Sequence, residues 1–474
     1  MIMAASAGQG GGLSNSFQWD PQEGPRIRTS HRCVQTPLPA PDTINELRQA
    51  ASLFPAVSCY QPPVVWDRAE GYQVFDAAGN CWIDFSSTAV MTNSGHGHPR
   101  VREAIRRHAE TDLLAQFSFH SPLRTTLARR LLDLAPPGFE KVFFWTTGSE
   151  AIEAAFRAAR QWGQTLDPAK IRVASLEQDY HGCTLAAHQL SGESAAKEWL
   201  PGPDAAIHRL PFVVENADVG PVTEAEWDQF VRDAATRAGL TGAETAAIMI
   251  ETFQGWGALK LDKRYVQALR RWTRDHEALL AFDEVQTGFG RTGMMWGHQH
   301  YGVEADLLCV GKGITSSLPL SAVLGSACVL DVFSPGEITT THAGHPLACA
   351  AALANLDVLQ EEGLVAHAAA MGEVLEKGLR QLQEQFPAYI DRISGAGMLW
   401  AVHLQDPVTS EASESLARQL VWETVRQGVM VFHTNRSTLK VCPPLVTPAE
   451  AVLDGLKGIS DAMVALARWH EGEK

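Results

Sequence analysis

Two short stretches set an acid and a lysine where both can react. In Ala281-Phe282-Asp283-Glu284-Val285-Gln286 an apolar run stops at an aspartate. In Leu307-Leu308-Cys309-Val310-Gly311-Lys312-Gly313 a second apolar run stops at a lysine between glycines. Short apolar runs read as buried strands, so Asp283 and Lys312 fall at strand ends that can share one cleft. Most lysines are solvated surface groups; one embedded in such a stretch loses hydration, which lowers its pKa toward a nucleophilic amine. A carboxylate holding a protonated ring nitrogen, through a charge-assisted hydrogen bond worth roughly 1.5–3 kcal/mol, keeps that ring an electron sink. Lysine, aspartate and such a ring are the set that pyridoxal phosphate chemistry uses. Val285 is placed to pack beneath the ring and Gln286 to reach its phenolic oxygen. A lone aspartate after a strand is more often a turn or cap residue, so the pair needs support from other segments.

Thr146-Thr147-Gly148-Ser149-Glu150-Ala151 lies between an apolar run and an Ala-rich helical stretch. The first amides of a helix are unsatisfied and its dipole is positive there, which suits a phosphate. Gly148 permits close approach and the Ser149 hydroxyl adds a donor, although Thr147 or Ser149 also fits a plain helix cap. Asp179-Tyr180-His181-Gly182 offers an aromatic ring for stacking, with clearance at Gly182; a tyrosine is otherwise a core residue. A P-loop is excluded at Lys312, since the Gly-x4-Gly-Lys-Ser/Thr spacing is absent. In Gly95-His96-Gly97-His98-Pro99 two histidines stand without nearby carboxylates, which favours a structural role over a metal site.

Strands and helices alternate around these residues. Lys141 to Thr146, Ile171 to Leu176, Ala246 to Ile250, Ala278 to Phe282, Leu307 to Val310 and Ala322 to Gly325 read as strands. Helices are expected at Ser149 to Trp162 and Tyr265 to His276. This alternation implies an α/β fold with a mostly parallel sheet covered on both faces. Ligands of such sheets bind beyond the carboxyl ends of the strands, the edge to which Gly148, Asp283 and Lys312 belong. Upstream, short strands flank a turn at Ala78-Gly79-Asn80, and helical periodicity follows at Pro99 to Glu110 and Leu123 to Leu134. Downstream, helices at Pro346 to Glu362, Met371 to Phe386, Ser415 to Gln427 and Pro448 to His470 alternate with strands near Gly397 to Leu404, Val429 to Phe432 and Leu439 to Val441.

With 474 residues, 45% of them hydrophobic and 20% charged, the chain has room for more than one domain with large cores. A formal net charge of -15 opposes nucleic acid or an anionic membrane as partner. The eight cysteines are scattered without a Cys-x-x-Cys pair, which reads as buried free thiols in a reducing compartment. Residues 1–12 lack a secretory pattern and no apolar run is long enough to span a bilayer, so a cytoplasmic location is expected.

Taken in order, these segments resemble the class III (ω-type) aminotransferases, pyridoxal-phosphate enzymes of fold type I, from roughly Val64 to the C-terminus. The match includes Gly95-His96-Gly97-His98-Pro99, Thr147 to Ala151, Tyr180-His181-Gly182, Glu251 with Gln254-Gly255, Asp283 to Gly293, Gly311-Lys312-Gly313 with Pro319-Leu320, Thr341 with Gly344, Pro346 to Ala350, and Pro443-Pro444-Leu445. Residues 1–30, rich in Gly, Ser, Gln and Pro, read as a flexible arm, and the resemblance implies a segment 31–95 that packs with a small α+β domain at 346–474. Residues 96–345 would form a large domain on a seven-stranded type of sheet. It implies that Lys312 forms the Schiff base with pyridoxal 5′-phosphate and shuttles the proton, while Asp283 holds the pyridinium nitrogen. Gly148 and Ser149 would grip the phosphate, Tyr180 would stack on the ring, and His181, Val285 and Gln286 would complete the contacts. Thr341 would close the phosphate cup of the neighbouring subunit, which implies a homodimer with shared active sites, alone or as a dimer of dimers. No metal is expected.

Three departures from the family's pattern stand out, one of them Glu251-Thr252-Phe253-Gln254-Gly255 in place of Glu-Pro-Val-Gln-Gly. Where many members carry an arginine for the acceptor's carboxylate, this chain has Lys440, a point charge without the bidentate fork. Glu251, which in the family neutralises that arginine, here faces a lysine, so Glu251 and Lys440 are the substrate-binding candidates. The usual Gly-Gly-Asn-Pro reads Ala343-Gly344-His345-Pro346. The expected reaction is ping-pong transfer from an amine or amino acid to an oxo acid. A racemase or epimerase, a decarboxylase, or a phospho-lyase on the same scaffold is the alternative, because Lys440 alters the usual keto acid site. A non-catalytic binding protein is disfavoured, since the lysine, acid and phosphate positions are all filled.

Overall fold

The computed structural model describes residues 19–55, 61–117, 119–192, 197–200, 202–215, 222–434 and 436–472. The N-terminal part contains β1 (Ile27–Arg28), β2 (Cys33–Val34), α1 (Ile44–Leu53), β3 (Arg68–Glu70), β4 (Gln73–Phe75) and β5 (Cys81–Asp84), in one sheet of order β1-β2-β5-β4-β3. Within the stretch expected as a loose arm, Ile27–Arg28 pairs with β2 and Gln22 bridges to Leu38; residues 1–18 lie outside the described residues. The turn between β4 and β5 is fastened by Asp76, whose carboxylate accepts the Asn80 amides at 2.7 and 2.8 Å. Next comes α2 (Ser87–Val90), a single turn in which four consecutive non-glycine residues have φ between 46° and 67°. Left-handed backbone costs an L-residue about 1–2 kcal/mol, so the turn needs outside support. Ser86 Oγ accepts the Thr88 amide at 3.1 Å, and Ser87 Oγ donates to Cys442 O at 2.6 Å.

After α3 (Pro99–Ala109) and α4 (Pro122–Leu134) the large sheet begins. It is built from β6 (Lys141–Trp145), α5 (Gly148–Leu166), β7 (Arg172–Leu176), α6 (Leu185–Leu190), β8 (Ile207–Leu210), α7 (Glu224–Arg237), β9 (Thr245–Glu251), α8 (Lys263–Asp275), β10 (Leu279–Asp283), β11 (Leu307–Val310), β12 (Ser321–Gly325) and α9 (Ala327–Leu330). Its order is β6-β12-β11-β10-β9-β7-β8, and every neighbouring pair is parallel except the two made by β12. Central strands are apolar on both faces because both are covered. In β10, Leu280 and Phe282 join the core under α7 and α8, while Leu279 and Ala281 join the core under α5 and α6. The edge strand β8 and helix α7 add to the elements expected from the sequence.

The remainder comprises α10 (Pro346–Glu361), α11 (Leu364–Gln385), β13 (Ile390–Ala396), β14 (Leu399–Leu404), α12 (Glu414–Arg426), β15 (Val429–Met430), β16 (Phe432–His433), β17 (Thr438–Val441) and α13 (Ala449–Gly472). β13-β14-β17-β16 form an antiparallel sheet, and β15 pairs in parallel with β5, tying this end of the chain to the beginning. The strand expected over residues 397–404 is the second arm of a hairpin whose turn holds Gly397 at φ 56°. A Cβ there would lie 2.3 Å from the Thr292 carbonyl carbon. Among the described cysteines none is in a disulfide; Cys183 and Cys328 are exposed rather than buried, and Cys59 is outside the described residues. No helix of the described residues is long and apolar enough to cross a membrane.

Leu280, fully buried in the middle of the sheet, gives the packing test. Leu280→Ala should lower unfolding free energy by about 2–5 kcal/mol, whereas Leu453→Ala, at a position 57% exposed on α13, should change it by less than about 0.5 kcal/mol. Urea denaturation of both variants measures the contrast.

Candidate active site

β6, β10 and β11 end at the same edge of the sheet. Asp283 is the last residue of β10, in register with Glu251 of β9 and Cys309 of β11. Lys312 follows β11 with φ 40°, a left-handed turn that lifts its side chain off the strand line. It lines a cavity of about 570 Å3 together with Tyr180, Gln286, Trp256, Trp66 and Phe432. Val285 wedges between two glycines: a Cβ on Gly148 would meet Val285 Cγ1 at 2.7 Å, and one on Gly311 would meet it at 3.3 Å.

The two expectations for the start of α5 are compatible. Thr147 caps the helix through a capping box with Glu150, which leaves the Gly148 and Ser149 amides without helical acceptors. Ser149 Oγ accepts the Cys183 amide at 3.3 Å. Gly182, at φ 126°, lets this loop come so close that a Cβ would sit 2.1 Å from Ser149 Oγ. Unsatisfied amides, a positive helix end and a glycine-lined approach fit a phosphate group.

Charges behind the cavity are paired in a chain. His181 Nδ1 donates to Asp283 Oδ2 at 2.9 Å, His181 Nε2 lies 3.4 Å from Asp179 Oδ2, and the Val285 amide donates to Asp283 Oδ1 at 3.0 Å. Burial alone would lower the His181 pKa, but its hydrogen bonds with Asp179 and Asp283 outweigh that and push it up to about 10. His181 is therefore cationic at neutral pH and anchors the aspartate. Burial, with Asp179 and Asp283 nearby, raises the Glu251 carboxyl well above the usual range; its Oε2 accepts the Tyr180 amide at 2.7 Å. Burial also lowers the Lys312 pKa, with Asp283 and Glu251 pulling it partly back. An aspartate braced for a ring nitrogen, an amine of reduced basicity and a phosphate-sized helix end fit pyridoxal phosphate.

Not every candidate converges. Tyr180, Gln286 and Lys312 share the cavity wall, and Gly148, Ser149, His181, Asp283 and Val285 are linked to it by the contacts above. Thr341 is exposed and lies in a separate depression of about 480 Å3 with Phe117, His120 and Arg124. Lys440 is fully buried and donates to Gly255 O at 3.3 Å and Gln286 Oε1 at 3.4 Å, not to Glu251. The two histidines of the Gly-His-Gly-His stretch have structural partners: His96 contacts Asp84 at 2.7 Å, and His98 caps α3 and contacts Glu362 at 3.2 Å. Several wall residues carry no local sequence signal, including Trp66, Trp256 and Phe432. Trp256 packs on Tyr180 with ring centroids 4.6 Å apart, and the Arg436 guanidinium lies 4.8 Å over the Trp256 ring.

Sheet order, cavity position and charge arrangement define the class as pyridoxal-phosphate-dependent enzymes of fold type I. The sequence pattern of the family described as Aminotransferase class-III matches residues 55–463, and the chain belongs to that family. It is 32% identical to an acetylornithine aminotransferase of Agrobacterium fabrum over 419 residues, 88% of this chain and 97% of the relative. An (S)-enantioselective omega-transaminase from Thermomicrobium roseum superimposes with a TM-score of 0.80 at 29% identity, covering 89% of this chain and 98% of that one. An amine transaminase from an uncultivated Pseudomonas species, in its PLP-bound form, gives 0.78 at 28% identity, with 85% and 95% covered. The protein is an aminotransferase that uses pyridoxal 5′-phosphate; racemase, decarboxylase and lyase chemistry is not favoured.

The raised Glu251 pKa has a pH signature. Its pKa in the folded state lies above the ordinary 4.5, so the stability it permits is complete below that value and is lost as pH rises toward the folded pKa. Glu251→Gln cannot ionise and still accepts the Tyr180 amide. The variant should match the wild type near pH 4 and exceed it increasingly as pH is raised to 8, as read by denaturant titration at both pH values.

Proposed function

We propose that Lys312 is the amine that holds the cofactor and moves the proton, and that the active sites are shared between two copies of the chain. The observation that carries the first part is a lysine of lowered pKa on the wall of a 570 Å3 cavity, at the sheet edge where His181 braces Asp283. Pyridoxal phosphate, when bound, supplies an aldehyde that takes up amines and a ring that accepts the electron pair left when a carbon loses its proton. The Gly148 and Ser149 amides hold the phosphate, Asp283 the ring nitrogen and Gln286 the phenolic oxygen, with Tyr180 and Val285 fixing the plane of the ring. Lys312 Nζ, uncharged when its proton is off, would accept the proton that leaves the substrate carbon and hold it for return.

The substrate class follows from the wall. Trp66, Tyr180, Trp256, Phe432, Met430 and Val431 line the cavity, which suits a primary amine with an apolar or aromatic substituent as donor. For the acceptor's carboxylate, Arg436 over Trp256 is the better placed cation, since Lys440 is fully buried. Lys312→Ala should leave no turnover above background and no visible absorbance from bound cofactor. With the wild type, aryl-substituted primary amines should bleach that absorbance and release an oxo product. Exchange of a substrate α-proton in deuterium oxide without release of an oxo product would overturn the transfer reading.

Thr341 supports the shared site, because it is exposed and remote from the Lys312 cavity of its own chain. Beside it, Leu113, Leu114, Phe117 and Phe119 are 46–76% exposed, an apolar cluster that a second copy would cover. The same reading groups residues 31–95 with 346–474 as the smaller domain beside 96–345, an arrangement supported by the β5–β15 pairing, and sets the enzyme in the cytoplasm. Thr341→Ala should weaken cofactor binding about tenfold or more. Unfolding and refolding it together with Lys312→Ala should restore tight binding and turnover in a fraction of sites, because a mixed dimer then holds one intact pair. A mixture no better than its parts would show that Thr341 acts within its own chain.

A further inference from the structure

Lys440 occupies a position that belongs to neither the cavity wall nor the solvent. It lies on β17, paired with Ala401 of β14 on one side and Phe432 of β16 on the other. Its side chain is fully buried, and its ammonium reaches two acceptors, Gly255 O at 3.3 Å and Gln286 Oε1 at 3.4 Å. The same sheet also grips the next two carbonyls of that loop. Thr438 Oγ1 donates to Trp256 O at 3.4 Å, and His403 Nε2 to Gly257 O at 3.0 Å. Three consecutive peptide oxygens are thus captured from one sheet, which fixes where the Lys440 ammonium stands relative to Gln286.

An ammonium has donors only, whereas a glutamine amide has an oxygen that accepts and a nitrogen that donates, on nearly isosteric ends. We infer that Lys440 is a positioning residue for Gln286: by holding the amide oxygen it turns the amide nitrogen toward the cavity as a hydrogen-bond donor. Gln286 lines that cavity with Lys312. The inference rests on the reading that Gln286 reaches the cofactor's phenolic oxygen, and it removes Lys440 from the groups that meet substrate. A donor at that oxygen favours its anionic form and eases proton loss from the neighbouring nitrogen; an acceptor there does the reverse.

The test is a pH titration of the visible absorbance of the substrate-free holoenzyme, for the wild type, Lys440→Met, Gln286→Ala and the double variant. Met fills the buried space without a charge, a replacement that buried sites often tolerate, and thermal unfolding of each variant checks folding. Each single variant should raise the midpoint by about one pH unit, and the double variant should go no higher than Gln286→Ala alone. Should Lys440→Met leave the midpoint in place and only raise KM for the oxo acid, Lys440 is a substrate site and the inference falls. It falls equally if Lys440→Met shifts the midpoint undiminished in the Gln286→Ala background, because the lysine then acts directly by charge. A Gln286→Ala variant that leaves the midpoint in place would instead sink the reading that Gln286 reaches the phenolic oxygen, so the two failures are distinguishable.

Discussion

The edge of the sheet buries most of the ionisable groups the chain concentrates there, and the need to balance those charges governs the site. Asp179, His181, Glu251, Asp283 and Lys440 are each less than a tenth exposed. In such surroundings an isolated charge is too costly to keep, so each group is paired, neutralised or shifted. His181 takes a proton and serves two aspartates; Glu251 holds a proton more tightly than an ordinary carboxylate; Lys312 and Lys440 hold theirs less tightly. The two behaviours that matter chemically, a fixed carboxylate and an amine of reduced basicity, are consequences of one burial. The sheet produces that burial by covering both faces of β9 and β10 with helices.

Backbone shape is the second constraint. Val285 fits only because Gly148 and Gly311 lack side chains, and Ser149 meets the 180–183 loop only because Gly182 does too. On the opposite wall the left-handed turn at Ser87–Val90 brings Thr88 and Ala89 to the cavity. Its four residues sit in a region that costs L-amino acids energy. The Ser87 bond to Cys442 O and the Arg291 guanidinium, which reaches Ser87 Oγ, Asn93 Oδ1, Met398 O and Pro443 O, hold it from both ends of the chain. The cavity wall is thus assembled from segments that cannot keep their shape alone.

This explains what could be read from the sequence. The placement of Asp283 and Lys312 at strand ends was legible because a buried strand ending in a charge is a local pattern, and so was the capped start of α5, with its Thr147-x-x-Glu150 box. The central strands were legible because runs such as Leu279–Asp283 stay apolar on both faces. β8 was not, since Ile207-His208-Arg209-Leu210 at the sheet edge interrupts its apolar residues with two basic ones. α7 lies in a polar stretch, although its Thr223-x-x-Glu226 capping box is a start signal. Trp66, Trp256 and Phe432 come together only through tertiary packing. Lys440 is a substrate candidate by its place before Pro443-Pro444; its hydrogen bonds to Gln286 and Gly255 are tertiary and leave no local signal.

On the proposed reading of the cavity, specificity depends on how the sheets meet. The loop after β9 carries Gly255 and Trp256 into the cavity wall, yet its carbonyls are bound by side chains of β14 and β17, far away in the sequence. Any change in the seat of the C-terminal sheet moves Trp256, the Tyr180 ring against it and the Arg436 guanidinium above it. Substrate preference can then drift through residues that never touch substrate, while Asp283 and Lys312 stay fixed on the large sheet. Relatives that share the reaction at about 30% identity while differing in the amines they take are what such a division of labour permits.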